Sequence, residues 1–439
     1  MKNRYDKYKD SGIAWIGEIP EHWNLALVKS IFNRRTKKNN PILTEERLSL
    51  SIEKGVTLYS EKTTNLDRFK EDFTQYQIAY PNDIVLNSMN MIVGAIGISH
   101  YLGCVSPVYY VIAPKDKNIN VNYYGYLLNN FRIRNLYHAL GEGIYAIDRG
   151  EGRINTCRLK VSYDKFGSII VPIPSINEQL SIATYLDQKC SEIDELITLQ
   201  EEMITKLQSY KQSVITEAVT KGLDKNVPLK DSGIEWIGEM PKHWNICKLK
   251  NIFLLSTGTT PKDFDQTSEE DNLINWYTPS DILDSCNDLF SSQRKLSEKV
   301  IYANKISLFP IGTLLYVGIG ASAGKVGYAN ENGYSNQQIT GLIPLNCYSR
   351  FYFYYLSALK DKIRDNAFFT TLPIINNAYL GQELIPFPTL SEQQSITDYL
   401  DRKCSEIDEL ISIKQQKIEK LKDYKKSLIF ECVTGKRKV

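Results

Sequence analysis

The chain has 439 residues, 42% hydrophobic and 24% charged, with a net charge of +2; that balance argues against wholesale disorder, allows large cores and does not by itself point to a nucleic-acid partner. No run of about 18 apolar residues is present and the start, MKNRYDKYKDSG, lacks the apolar core of a signal peptide, so neither a membrane span nor export is expected. The eight cysteines form no C-x-x-C pair, which speaks against a zinc site or a disulfide framework and for reduced thiols in a cytoplasm.

Taken in chain order, the sequence repeats itself. Residues 1–24 form a tag whose DSGIAWIGEIPEHWN (Asp10 to Asn24) returns as DSGIEWIGEMPKHWN (Asp231 to Asn245), with 12 of 15 positions identical at an offset of 221. Residues 25–174 read as a first globular domain of short strands bounded by Gly, Pro and Asn. Residues 175–222 read as a long helix, and 223–245 carry the second tag. Residues 246–388 form a second domain, and 389–439 a second long helix with a basic tail. The helices open alike: EQLSIATYLDQKCSEIDELI (from Glu178) and EQQSITDYLDRKCSEIDELI (from Glu392) share 16 of 20 positions at an offset of 214.

The two domains differ strongly in content but keep a skeleton. IVLNSMNMIVGAIGI lines up with TLLYVGIGASAGKVGY, so that Gly94 matches Gly324 and Gly97 matches Gly327, and SPVYYVIAP then faces NQQITGLIP. One fold used twice with near-constant frames suits a protein that needs one geometry and two different surfaces. The expected fold class is α+β: two similar globular domains separated by two long antiparallel coiled-coil helices, a pseudo-twofold repeat.

No Pro or Gly interrupts 177–221 or 391–434, and Gly222 and Gly435 follow as stop signals. At about 1.5 Å per residue each helix runs roughly 65 Å. A heptad-like seam of Cys190, Ile193, Ile197, Ile204, Leu207 and Val214 has its counterpart in Cys404, Ile407, Ile411, Ile418, Leu421 and Leu428. Gln200, Lys211, Lys414 and Lys425 interrupt it at matching places, as polar positions that fix register do.

Chemistry-bearing patterns are weak. G-I-G-A-S-A (Gly318 to Ala323) fits a dinucleotide fingerprint but lacks the acidic residue about 20 positions on, and reads better as a tight turn. Ala323-Gly324-Lys325-Val326 fails as a phosphate loop, and no N/D-P-P-aromatic run, metal-ligand cluster or nucleophile constellation is visible. Catalytic and metal-binding residues are therefore not expected in this chain.

Charge is distributed unevenly. Leu25 to Ile170 holds 19 Lys and Arg against 13 Asp and Glu, and Ile246 to Leu384 holds 12 against 13. Arg34, Arg35, Lys37 and Lys38 form a basic run suited to phosphates, and Arg149, Arg153 and Arg158 lie in a Gly-rich stretch suited to guanine edges. In the second domain Lys262, Lys325, Asn336, Gln337 and Gln338 are the candidates, since Asn and Gln can read adenine edges. Solvated loops and turn caps remain the plain alternatives for each.

The tag DSGIEWIGEMPKHW, the repeated helix opening and the G-T-T-P-K element (Gly258 to Lys262) resemble the specificity subunit of type I restriction–modification systems across essentially the whole chain. The resemblance implies a sequence-specific DNA-binding subunit. Each domain then reads one half of a bipartite, asymmetric target in double-stranded DNA. The helices set the half-site spacing and dock two methyltransferase (modification) subunits, joined by restriction subunits in the full complex. It implies no cofactor on this chain, with S-adenosylmethionine, ATP and Mg on the partner subunits. The first domain shows no sequence equivalent of G-T-T-P-K, so its loops are left unaligned. The alternatives are a methyltransferase or nuclease fused to recognition modules, and a coiled-coil assembly adaptor.

Overall fold

The computed structural model describes residues 4–61, 72–144, 158–261, 273–283, 287–304, 306–360, 362, 368–369 and 373–439. The chain forms two compact units: residues 1–200 with 416–439, and residues 201–415. The boundary falls inside both long helices, so each unit takes part of each helix, a division that domain-by-domain reading of the sequence did not foresee.

In unit 1 the first tag is a hairpin, β1 (Tyr8–Asp10) with β2 (Glu18–Pro20). Strand β3 (Asn24–Leu27) follows, then β4 (Phe32–Arg35), β5 (Ile84–Asn87), β6 (Ile96–Ile98) and β7 (Tyr109–Pro114), in a sheet of order β4-β7-β5-β6 with antiparallel neighbours. All four residues of β5 are buried, as expected of an apolar run in the middle of a layered sheet. Gly94 closes the turn before β6 at φ +100°, a conformation that side chains resist. Helix α1 (Val121–Asn129), capped by the Asn120 side chain, covers the sheet, and β8 (Ile170–Ile173) returns to pair with β3. Helix α2 (Ile176–Lys221) then runs 46 residues.

Unit 2 repeats this plan. The second tag is the hairpin β9 (Leu229–Asp231) with β10 (Glu239–Pro241), followed by β11 (Asn245–Lys248). Strands β12 (Phe253–Thr257), β13 (Asn287–Leu289), β14 (Leu314–Val317), β15 (Val326–Ala329) and β16 (Ile339–Pro344) form a sheet of order β12-β16-β14-β15-β13. Gly324 turns at φ +91° between β14 and β15, matching Gly94. The G-I-G-A-S-A run is therefore the turn leaving β14. Helix α3 (Ser349–Ala358) covers the sheet, β17 (Leu384–Phe387) pairs with β11, and helix α4 (Leu390–Val433) runs 44 residues.

Each helix start does several jobs with the residues it repeats. Ser175 and Glu178 form a reciprocal capping pair: the Ser175 N–H donates to Glu178 Oε2 at 3.1 Å and the Glu178 N–H to Ser175 Oγ at 3.4 Å. Thr389 and Glu392 do the same, so the caps are Ser175 and Thr389. The other carboxylate oxygen of Glu178 accepts from Trp23 Nε1 at 3.0 Å and contacts His22 at 2.9 Å. Glu392 meets Trp244 at 3.1 Å and His243 at 2.7 Å. The next residue is a buried amide. Gln179 accepts from the Asn120 N–H and donates to the Pro174 carbonyl, and Gln393 bridges the Tyr348 N–H and the Pro388 carbonyl. Further along, Asp187 accepts from Tyr126 and Asp401 from Tyr354.

The seam residues lie on the packed side of the helices. In unit 1, Ile193 and Leu428 are buried in one core with Trp23, Tyr123 and Tyr124, with Ile197 and Leu421 packed against it; Cys190 is also buried. In unit 2, Val214 and Cys404 join a core with Trp244, Tyr352 and Tyr355. Ile407 and Ile418 are buried, and Ile204, Leu207 and Ile411 are half-buried. Within unit 1 the Lys425 ammonium meets Asp194 at 2.6 Å and Arg437 lies 5.9 Å over Tyr185. Within unit 2 Lys211 meets Asp408 at 2.7 Å and Lys414 lies 3.5 Å from the Met203 sulfur. Rising numbers on one helix meet falling numbers on the other, so in each unit the two segments run antiparallel. The lysines that interrupt the seam are thus paired across it. Among the described residues no helix is long and apolar enough to cross a membrane.

Burial alone pushes the Glu178 carboxyl up, but the bonds from His22, Trp23 and Ser175 outweigh it and hold the group at about 2, and Glu392 is likewise held at about 2. A carboxylate whose folded pKa is depressed contributes stability that is present above its unfolded value of about 4.3 and is lost as pH falls towards the folded value. Glu178→Gln is expected to cost about 1 kcal/mol at neutral pH, after allowing for solvent screening, and to flatten the loss of melting temperature on acidification. An acid limb as steep as that of the parent chain would show that this carboxylate does not anchor the tag.

Candidate nucleic-acid interface

The register of the first sheet strand aligns the two domains where the sequence did not. Phe32 pairs with Pro114 in unit 1, and Phe253 pairs with Pro344 in unit 2. Counting on from these pairs, Thr36 matches Thr257. The segment T-K-K-N-N-P (Thr36 to Pro41) therefore occupies the strand exit that T-G-T-T-P (Thr257 to Pro261) holds in unit 2. The G-T-T-P-K element does have a positional counterpart in unit 1, one residue longer and basic.

In unit 1 the basic run divides into different roles. Arg34 stacks on two rings, 4.9 Å from the Tyr110 centroid and 4.8 Å from that of Tyr163, with its side chain exposed. Arg35 donates at 2.6 Å to the buried Asp83, whose carboxyl burial pushes upward despite that bond. Arg35 is thus tied into the sheet and is a weaker candidate than the sequence suggested. Lys37 is exposed, and Lys38 donates to Gln75 Oε1 at 2.6 Å. Asn39, fully buried, shapes the loop by accepting from the Leu43 N–H and donating to the Thr44 carbonyl. Gln77 holds the neighbouring segment through the Pro107 and Tyr109 carbonyls, 2.9 Å each. Arg158 starts a short strand, Arg158–Lys160, paired with Glu142–Ile144. Arg149 and Arg153 lie outside the described residues.

In unit 2 the strand exit packs directly on the segment before β16. The Gly258 N–H donates to the Ile339 carbonyl and the Thr259 N–H to the Ser335 carbonyl. A Cβ at Gly258 would sit 2.1 Å from Ser335 Oγ, so only glycine allows this approach. Thr260 Oγ1 donates to Gln337 Oε1. Asn336 accepts from the Gln338 N–H at 3.1 Å and donates to Gln338 Oε1 at 3.0 Å. Asn377 joins from a later helix, donating to Thr257 and accepting from Thr340. Three candidates far from G-T-T-P in sequence are thus brought to it. Lys262 lies outside the described residues. Lys325 instead lines a cleft of about 520 Å³ with Lys211, Gln212, Lys360, Asp408 and Ile411, which the Asn336–Gln338 loop does not line.

Thr259, Thr260, Gln75, Gln77 and Asn377 escaped sequence reasoning. The available signal was the T-x-x-T/N-…-P spacing after the first strand of each domain, hidden by the extra residue in the first. Among the described residues no group of three or more His, Cys, Asp or Glu side chains could hold a metal ion.

One mixed α/β fold, used twice with constant helical contacts and unlike polar loop ends, defines a duplicated recognition scaffold. Residues 241–423 match the family model described as the type I restriction modification DNA specificity domain. The chain is 25% identical over 443 aligned positions to the putative type I restriction enzyme MjaX specificity subunit of Methanocaldococcus jannaschii, covering 97% of this chain and 96% of that one. It is 30% identical over 187 positions to the MjaIX specificity subunit of the same organism, covering 42% of each. Among solved structures, a chain from work on complex assembly and conformational transition of the type I R-M system superposes with a TM-score of 0.72 at 15% identity, covering 94% of this chain and 98% of that one. The HsdS subunit from Thermoanaerobacter tengcongensis gives 0.57 at 16% identity, covering 95% and 98%.

Residues 241–423 thus match the type I restriction modification DNA specificity domain, and over nearly its whole length the chain is similar to a type I specificity subunit, which supports the role of a DNA-specificity subunit.

If Lys37 and Lys38 contact phosphates, replacing each by Glu should lower the slope of log affinity against log salt by about 1 or more. Gln337→Ala should leave that slope unchanged and relax discrimination at a single stretch of the target. Both are read with the full chain by titrating DNA at several salt concentrations. An unchanged slope for the lysine variants would remove those lysines from the interface.

Proposed function

We propose that each unit reads one half of a bipartite, asymmetric DNA target, and that α2 and α4 hold the two recognition folds at a set separation and dock methyltransferase subunits. The observation that carries the reading is the contrast between frame and loop. Glu178, Gln179, Asp187 and Asp194 are matched contact for contact by Glu392, Gln393, Asp401 and Asp408, while the strand exits carry K-K-N-N in one unit and G-T-T in the other. In unit 1 the exit offers cations and a stacked arginine, suited to phosphates and guanine edges. In unit 2 it offers amides and hydroxyls, suited to adenine edges. Methylome sequencing of cells carrying this chain with its methyltransferase partner tests the reading directly. The expected result is one split motif absent from cells without the chain; a continuous motif, or none, would overturn it.

The helices as ruler make a sharper expectation. Seven residues span about 10.5 Å along a helix, close to three base pairs at about 3.4 Å each. The pairs Met203 with Lys414 and Lys211 with Asp408 bracket Leu207 opposite Ile411. The matching insertion therefore belongs after Ile411, not after Leu421 as seam counting alone suggests. A heptad inserted at both places keeps the seam in phase. It should leave both half-site sequences unchanged and lengthen the unread gap by about three base pairs. A changed half-site with a constant gap would mean that the helices are not the ruler.

A further inference from the structure

One polar cluster in unit 2 has no counterpart among the described residues of unit 1. Arg350, near the start of α3, has a side chain only 15% exposed and meets carboxylates on two different elements. Its NH1 and NH2 donate to the two oxygens of Asp288, on the edge strand β13, the second at 3.0 Å. Its Nε and NH2 donate to Asp401 Oδ1 on α4, at 3.2 and 3.0 Å. Tyr354 donates to the same Asp401 oxygen at 2.5 Å, and Asn330 to Asp288 at 3.0 Å. The guanidinium plane is packed by rings, 4.9 Å from the centroids of Tyr328 and Phe353 and 5.5 Å from that of Tyr354. The cluster joins the edge of the sheet to the helix on which that sheet is mounted.

The matching position in unit 1 is fixed by two tyrosines that make the same bond: Tyr124 donates to the Pro172 carbonyl and Tyr352 to the Pro386 carbonyl. Two residues before them stand Asn122 and Arg350. In unit 1 Tyr126 still bonds Asp187, but the short Asn122 side chain cannot span from helix to sheet edge. The unit 1 sheet also has no fifth strand among the described residues.

We propose that Arg350 is a positioning residue for DNA reading: it locks the recognition sheet of unit 2 to α4, and so fixes the angle at which the Thr260–Gln337 end meets its half-site. The proposal rests on the reading of unit 2 as a half-site reader. Its physical basis is the planar fork of arginine, which offers donors to two carboxylates at once and holds their relative direction, whereas a lysine supplies a point charge that fixes neither. Strand β13 has most to gain from this contact, because among the described residues its one strand partner is β15, through a parallel pairing of three residues, Asn287 to Leu289 with Gly327 to Ala329.

The test uses the full chain with Asp288→Asn and Arg350→Lys. Asp288→Asn leaves the Arg350–Asp401 bonds and the ring packing in place, so it frees the strand without emptying the core. Melting temperature serves as the control for folding. Hydrogen exchange should speed up about tenfold at the Asn287–Leu289 and Val326–Ala329 amides, with unit 1 amides unchanged. In the methylome of cells carrying each variant with the methyltransferase partner, near-cognate sites mismatched in the half-site that Gln337→Ala alters should gain about tenfold in methylated fraction. Sites mismatched in the other half-site should stay at the parent level. Parent-like exchange in both variants would overturn the lock. Faster exchange with unchanged near-cognate methylation would reduce Arg350 to a stabilising contact and overturn its positioning role. A parent methylome without two half-sites would instead strike the underlying reading, while the exchange measurement still decides whether the lock exists.

Discussion

The structure depends on a pair of adjacent residues, Glu and Gln, at the first turn of each long helix. The glutamate caps its own helix and clamps the tag through a Trp and a His, while the glutamine, buried beside it, holds the start of the covering helix and the strand exit before it. One helical turn therefore orients three separate segments. Because Gln179 and Gln393 are fully buried, neither amide can be lost without leaving buried backbone groups unpaired, a cost of about 1 to 3 kcal/mol for each. Everything else in a unit is placed relative to this turn.

Each tag is also closed by the end of the long helix that does not clamp it at its start. Gly222, at φ +74°, lies against Trp244 and Pro241, and Gly435, at φ +73°, lies against Pro20 and Trp23. At Gly435 a Cβ would come within 2.3 Å of Pro20, so the glycine is required by space as well as by its backbone angle. Tyr8 and Lys436 add bonds across this closure, Tyr8 to the Gly435 carbonyl and Lys436 to the carbonyls of Ile16 and Glu18. The second tag meets the helix that immediately precedes it, whereas the first meets the end of a helix more than 400 residues away in sequence. Unit 1 is thus completed by the last residues of the chain, in the way that unit 2 is completed by the residues just before its own tag.

Much of this was legible in the sequence because it is repeated. The identity of the tags and helix openings marked the frame, and Gly94 with Gly324 marked the same left-handed turn in both sheets. Tyr123 and Tyr124 and the Tyr352–Tyr355 run also fall at equivalent places in the two covering helices, and both sets are buried. The lysines in the seam could be seen as interruptions, but not as partners of Asp194 and Asp408, because cross-helix register is a tertiary property. The loop alignment was not legible for a different reason. One extra residue in Thr36–Pro41 breaks the spacing, and only the strand pairing of Phe32 and Phe253 restores it. Arg35 was misweighted because nothing local shows that Asp83, nearly fifty residues later, lies beside it.

The direction of the frame contacts explains how the two domains could diverge so far. Gln179, Gln393, Tyr123, Tyr124 and Tyr352 all bond to main-chain groups. A backbone N–H or carbonyl is present whatever side chain the residue carries, so sequence change inside a recognition fold does not remove the partner. The side-chain to side-chain bonds of the frame join the long helices to the tags and, in each unit, to one tyrosine of the covering helix, Tyr126 with Asp187 and Tyr354 with Asp401, at positions that stayed alike. The Arg350 cluster breaks this pattern, since it commits a divergent strand residue, Asp288, to the frame. A contact of that kind ties recognition content to mounting geometry, and it would have to change together with the surface it supports. Its presence, among the described residues, in one unit only fits each recognition fold having settled its own attachment to a common helical frame.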